Sequence, residues 1–181
     1  LTFGYLWTVN GAVQATTTTT LDGTSFDKGD DVTCVVTPND GISDGAAVTS
    51  NVVTINNSTP AVSAAIISPN PATVVDTLVC SASGFTDADG DTDQSNMAWT
   101  VNGASAGVDA TLVGGFSGGD SVTCTITPYD GEESGTSVSA MVVIDNSAPY
   151  ITGVSISPNP AFTEDILICS TIGFYDADGD A

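Results

Sequence analysis

Basic residues are almost missing from this chain. Its 181 residues include a single Lys, Lys28, and no Arg or His, against 22 Asp plus Glu, for a formal net charge of −21. Nucleic acid is excluded as a partner, because phosphate binding depends on Lys and Arg displacing counterions. An anionic membrane surface is excluded on the same ground. Without His there is no Cys/His zinc site and no imidazole to activate a nucleophile, and paired carboxylates on loops do not by themselves make a glycosidase, so no enzyme is expected. No apolar run approaches the ~20 residues of a membrane-spanning helix. Helical periodicity is missing too. What remains is 41% hydrophobic and rich in Val, Ile and Thr, too apolar for a disordered chain despite the charge. The composition is that of a folded, acidic β-protein.

The chain is written nearly twice. "LWTVNGA" at 6–12 returns as "AWTVNGA" at 98–104, and "GDDVTCVVTPNDG" at 29–41 returns as "GDSVTCTITPYDG" at 119–131. "ISPNPA" at 67–72 returns at 156–161, and "CSASGFTDADGD" at 80–91 returns as "CSTIGFYDADGD" at 169–180. The offsets are 92, 90, 89 and 89, so the unit is about 90 residues, the size of a whole domain. Between turn signals, apolar residues alternate with polar ones, the mark of strands with one buried face. Leu78, Cys80 and Ala82 point one way, as do Met97, Trp99 and Val101, and Val122, Cys124 and Ile126, with Thr123, Thr125 and Thr127 opposite. Asn10-Gly11 and Asn102-Gly103 read as tight hairpin turns, since Asn-Gly tolerates positive φ. The fold class is all-β, a two-sheet sandwich.

Cys80, Trp99 and Cys124 stand in the order and spacing of an immunoglobulin-like sandwich, with "LVCSASGF" resembling strand B, "MAWTVNG" strand C and "GDSVTCTITPYDG" strand F. The Asp-rich turn before the Trp strand resembles bacterial tandem surface repeats of the immunoglobulin-like and polycystic-kidney-disease types. The linkers "INNSTP" and "IDNSAP" are similar to the Asn-Ala-Pro linkers of cadherins. The resemblance implies tandem immunoglobulin-like β-sandwich repeats: residues 1–59 as the C-terminal part of one repeat (strands C to G), 60–148 as a complete repeat, and 149–181 as the N-terminal part of the next. It further implies that Cys80 and Cys124 form the bridge between strands B and F, with Trp99 packed against it; two buried free thiols are the alternative. A disulfide indicates an oxidising compartment, hence an extracellular or cell-surface location. Cys34 resembles a strand F cysteine with no strand B before it, and Cys169 a strand B cysteine with no strand F after it, so their expected partners lie in an adjoining half repeat or a neighbouring copy. If Leu1 followed Ala181 directly, Trp7 would stand eight residues after Asp180, as Trp99 stands eight after Asp91. The expected partners are therefore copies of the chain end to end, as one continuous fibre or as subunits completing a split domain.

"DADGD" supplies Asp87, Asp89 and Asp91 at alternate positions, with Gly90 permitting a turn tight enough for their oxygens to converge. This is ligand chemistry for Ca²⁺, a hard cation taking six to eight oxygens at loosely defined angles. A solvated Asp-Gly turn is the plain alternative, and the generalised acidity of a halophile is another. In an immunoglobulin-like sandwich the B–C and F–G loops share one pole; here those loops, 38–46, 83–96, 128–136 and 172–181, are 42 residues holding 12 of the 22 acids. Exposed strand positions carry mostly Thr and Ser, unlike an evenly acidic halophile surface. With one Lys in the chain, the neutralising cation is expected from solution. By homologous position, one calcium set comprises Asp87, Asp89, Asp91, Asp130 and Asn56, and a second comprises Asp145, Asp176, Asp178, Asp180 and Asp40. Asn56 and Asn57 each begin an N-x-S/T sequon, a possible glycosylation signal. Asp30 and Asp120, just before the strand F segments, read as caps of a chain reversal.

The expectation from these readings is a structural segment of a long extracellular array, a surface stalk, adhesin shaft or filament, stiffened by Ca²⁺ at inter-repeat junctions. The alternative is an accessory substrate-binding module of a secreted hydrolase.

Overall fold

The structure, a computed structural model, describes residues 1–179 and is all-β apart from one 3-10 turn, Gly23–Ser25. The chain forms two compact units, each assembled from separate stretches of sequence. The first comprises Leu1–Pro60, Thr86–Asp93 and Tyr129–Ser134; the second comprises Ala61–Phe85, Gln94–Pro128 and the described residues from Gly135 onward.

In the first unit, β1 (Thr2–Val9) is the hub of a hairpin with β2 (Ala12–Val13) and of a long antiparallel pairing with β3 (Asp31–Asn39). The hairpin turns on Asn10 and Gly11 at φ 49° and 79°, the positive values for which the Asn-Gly pair is suited. On its other edge β3 pairs in succession with β4 (Val48–Thr49) and β5 (Val53–Thr54). In the register, Trp7 faces Cys34.

The second unit is sandwich-like. One sheet runs β10 (Ala104–Gly107), β9 (Asn96–Val101), β12 (Ser121–Thr127), β13 (Val138–Asp145) and β7 (Ala72–Thr73); the other runs β11 (Thr111–Val113), β8 (Thr77–Ser83) and β6 (Ala64–Ser68). All pairings are antiparallel except β13 with β7. The alternation read from the sequence explains the layering. Val122, Cys124 and Ile126 on β12 are wholly buried while the threonines between them are partly exposed, because a pleated strand sends successive side chains to opposite faces. Leu78 and Cys80 on β8 come inward from the facing sheet, and Trp99 on β9 lies beside Cys124 in register. With Ile67, Val142 and Ile144 they form one core. Trp99 satisfies its one donor by giving Nε1–H to the Asp109 carbonyl at 2.8 Å, so the ring is buried without an orphaned polar atom.

The core is stapled by a disulfide between Cys80 and Cys124, with Cα atoms 6.3 Å apart, as the resemblance implied. Asn102-Gly103 turns β9 into β10 with φ 49° and 82°, and Asn102 also ties the turn to the neighbouring strand by donating to Asp120 Oδ1 at 2.7 Å and accepting from the Ser121 amide at 3.0 Å. Asp120 closes its own reversal by accepting from the Ser117 amide, and Asp30 does the same for Asp27 in the first unit. A further hairpin, β14 (Tyr150–Ser157) with β15 (Ile168–Tyr175), completes the described chain.

Candidate functional site

Asp87, Asp89 and Asp91 lie on the 86–93 segment, which folds within the first unit. Asp87 organises the loop, its Oδ1 accepting from the Asp89 amide at 2.9 Å and the Asp91 amide at 3.1 Å. Gly90, at φ 79°, takes the left-handed conformation that the turn requires. One ligand oxygen from each of the three half-buried carboxylates lies within 4.8 Å of the others. Asp87 Oδ2 is buried with no hydrogen-bond partner among the described residues. Three carboxylates so placed repel one another and favour a cation, and an all-oxygen set of this kind suits a hard divalent ion. The group thus fits a metal ion, with Asp87, Asp89 and Asp91 as the residues to hold it.

The linker after β5 is bound into the same loop. The Ser58 amide donates to Asp89 Oδ2 at 2.6 Å, and Asn57 Nδ2 donates to Asp130 Oδ2 at 2.8 Å. Asp130 is buried, and its Oδ1 accepts from the Glu132 and Glu133 amides, both at 2.7 Å. The Asn57 amide, with the two backbone amides adding to it, holds the Asp130 carboxyl down at about 2. Asp130 is therefore a carboxylate already supplied with donors, whereas Asp87 keeps an oxygen without one. The linker asparagine that reaches the loops is Asn57; Asn56 is exposed. Because Asn57 Nδ2 is engaged by Asp130, a glycan on that nitrogen would disrupt this contact.

Lys28 alters the expected electrostatics. Its Nζ donates to Asp91 Oδ2 at 2.6 Å, to Glu132 Oε1 at 2.7 Å and to Asn57 Oδ1 at 3.0 Å, using all three ammonium donors. Its own proton is held more tightly than usual, first by the bond to Asp91 and then by that to Glu132. Part of the neutralising charge at this cluster is thus supplied from within the chain.

In the second unit, Asp176 repeats the role of Asp87, accepting the Asp178 amide on Oδ1 at 2.8 Å. Asp178 repeats that of Asp89, accepting the Ser147 amide on Oδ2. Its Oδ1 is buried with no hydrogen-bond partner among the described residues. Asp145 is exposed at the end of β13, and Asp180 lies outside the described residues. Asp40, in the first unit, is an exposed turn residue whose Oδ1 accepts from the Ile42 and Ser43 amides, both at 2.9 Å; these bonds, that from Ser43 foremost, lower its pKa. Cys34 and Cys169 are free thiols, the first partly buried and the second exposed.

Neither a protein-family profile nor a curated protein matches the chain. Sequence reasoning missed Lys28 and Asn57 as members of the loop cluster. The signal for Lys28 was its being the one basic side chain among so many acids; Asn57 had no signal that set it apart from Asn56.

Proposed function

We propose that this chain is a structural segment of a long extracellular array of tandem immunoglobulin-like repeats, a surface stalk or shaft whose copies stand end to end, with Ca²⁺ stiffening the inter-repeat junctions. The observation that carries the reading is an open apolar cleft of about 350 Å³ in the first unit, lined by Trp7, Phe26, Val32, Cys34, Val53 and Ile55 among others. By the sequence repetition their counterparts are Trp99, Phe116, Val122, Cys124, Val142 and Ile144. All six counterparts belong to the buried core of the sandwich. The residues that would cover such a cleft also have counterparts. Ile156, Leu167 and Cys169 are exposed on and beside the β14–β15 hairpin, whereas the corresponding Ile67, Leu78 and Cys80 are buried under the sandwich's other sheet. A hairpin of this type, supplied by a neighbouring repeat, completes the half sandwich and brings a Cys169 to a Cys34.

Calcium is the cation of choice because Asp87, Asp89 and Asp91 offer a converging all-oxygen group beside a linker amide. The Cys80–Cys124 bridge supports an oxidising location, and among the described residues no helix is long and apolar enough to cross a membrane. The accessory-module alternative calls for a flat exposed aromatic platform. Trp99 is buried, and the exposed Tyr150 and Tyr175 rings are tilted 46° to each other. No catalytic role is proposed.

The test uses the full chain with oxidised glutathione as the thiol oxidant. Mass spectrometry and sizing are expected to show chains cross-linked through Cys34 and Cys169, with Cys34→Ser returning monomers. Chains that stay monomeric and bind glutathione independently at each thiol would overturn the end-to-end reading. Calcium titration by calorimetry tests the metal, and no heat at millimolar Ca²⁺ would remove it.

A further inference from the structure

We propose that Lys28 is a tethered counterion that holds the first carboxylate cluster together in the absence of a divalent ion, whereas the loop around Asp176 and Asp178, with a glycine at the corresponding position, is ordered by a cation from solution. This deepens the calcium reading above and rests on it for the second loop.

Three observations converge. The first is the reach of Lys28. Its three acceptors come from three separate stretches of chain, the loop at Asp91, the loop at Glu132 and the linker at Asn57. One ammonium thus ties the neutral linker to two loops that otherwise meet as like charges. The side chain is 24% exposed, sheltered enough for these bonds to persist and still reached by salt.

The second is the fixed base of that side chain. Asp30 Oδ2 accepts the Asp27 amide, Gly29 takes φ 87°, and the Gly29 amide donates to the Ile55 carbonyl at 2.8 Å. The turn carrying Lys28 is therefore clamped on both sides, and less conformational freedom is lost when the ammonium docks.

The third is the corresponding position in the other copy of the sequence. "FDKGDDVTC" at 26–34 aligns with "FSGGDSVTC" at 116–124, so Gly118 stands where Lys28 does. A Cβ added at Gly118 would lie 3.1 Å from Asp178 Oδ1 and 3.5 Å from the Asn146 Cα. A side chain there meets the Asp178 carboxylate and the linker backbone directly, and glycine leaves room for both. Asp178 Oδ1, the atom nearest that point, is buried and, like Asp87 Oδ2 in the first loop, has no hydrogen-bond partner among the described residues. Each loop keeps one buried carboxylate oxygen without a partner among the described residues, but the first has an ammonium of its own and the second has a glycine in its place.

The experiment is amide hydrogen exchange on the full chain, read at Ser58, Asp89 and Asp91 for the first loop and at Ser147 and Asp178 for the second. In chelator, the wild type is expected to protect the first set and expose the second, and Ca²⁺ is expected to slow the second set. Lys28→Met in chelator is expected to speed exchange of the first set roughly twofold to fivefold, the scale of exposed ion pairs, and Ca²⁺ is expected to restore it. Lys28→Arg, which keeps the charge, should retain most of the protection. Near-ultraviolet dichroism from Trp99 reports whether each variant keeps its core.

Exchange of the first set that is identical in wild type and Lys28→Met, both in chelator, would overturn the Lys28 assignment whatever calcium does. If Lys28→Met loosens the first set but Ca²⁺ slows neither set in any variant, the tethered counterion stands and the calcium reading falls, taking with it the claim about the second loop.

Discussion

Replacing both Cys80 and Cys124 by Ala is expected to cost the second unit about 4 kcal/mol. The two residues are 44 apart in sequence, so the bridge closes a loop of about 45 residues, and the chain-entropy relation gives roughly 13 cal/mol/K of lost freedom in the unfolded state, or about 4 kcal/mol at 25 °C. Burial adds to this in the same direction, because both side chains are at most 2% exposed and Ala leaves the sulfur volumes unfilled next to Trp99. Set against the usual total of about 5–15 kcal/mol for a domain, the loss is large. For a unit of this size 1 kcal/mol moves the melting midpoint by about 4–8 °C, so the double variant should melt roughly 16–32 °C lower. Scanning calorimetry reads this directly, with Trp99 fluorescence as a second probe of the same core. Replacing Cys34 and Cys169 by Ser is the control, since both are free thiols, and it should leave the midpoint of the second unit near its starting value. A shift below about 4 °C for the Cys80/Cys124 variant would mean that the unfolded chain is already compact around these strands, and the entropy argument would be wrong.

Gly84→Ala should lower stability by about 1–3 kcal/mol in chemical denaturation, because φ is +64° and the new Cβ meets Ser63 Oγ, whereas Gly103→Ala, also at positive φ but in open space, should cost less; equal losses would point away from the contact. Asp120 has its pKa lowered, first by the Ser117 amide and then by Asn102. A carboxylate whose folded value lies below its unfolded one adds stability at pH above the unfolded value, 3.8, and loses it as pH falls through the lower folded value. Asp120→Asn should therefore lower stability at neutral pH and flatten its decline in an acid titration below about pH 4; parallel curves for variant and wild type would refute the linkage. On the proposed calcium reading, Asp89→Asn should weaken any Ca²⁺ affinity of the first loop severalfold by calorimetry while leaving the melting of the Cys80–Cys124 core nearly unchanged, and a variant that binds calcium as the wild type does would remove Asp89 from the proposed ligand set.

Strand positions were legible because alternation is a local property. Val122, Cys124 and Ile126 declare their facing within seven residues, and Asn102-Gly103 declares its turn within two. The bond between Cys80 and Cys124 was legible one step further out, through Trp99 standing between them in a recognisable order. The loop cluster was legible in its acids and illegible in its donors. Lys28 is 63 residues from Asp91 and 104 from Glu132, and nothing near it in sequence shows where a four-carbon stem will reach. The choice between Asn56 and Asn57 depends on which way one linker residue faces, and that is set by the loops it meets. Asp145 likewise ends β13 facing outward, a matter of strand phase at a terminus where the alternation has run out of neighbours.

The Asn-Gly turns carry a chemical clock. An asparagine followed by glycine is the sequence most open to attack of the next backbone nitrogen on its side-chain carbonyl, with loss of ammonia and later gain of water to leave a carboxylate. In the folded chain the Asn102 amide nitrogen donates to Asp120 and that of Asn10 donates to Asp30, at 2.7 and 2.6 Å. Deamidation at either turn exchanges a donor for an anion facing an anion, in a molecule with no spare cation to place between them. Each converted turn then pushes β1 from β3 or β9 from β12 at the point where its hairpin begins, so an old molecule wears first at its tightest bends.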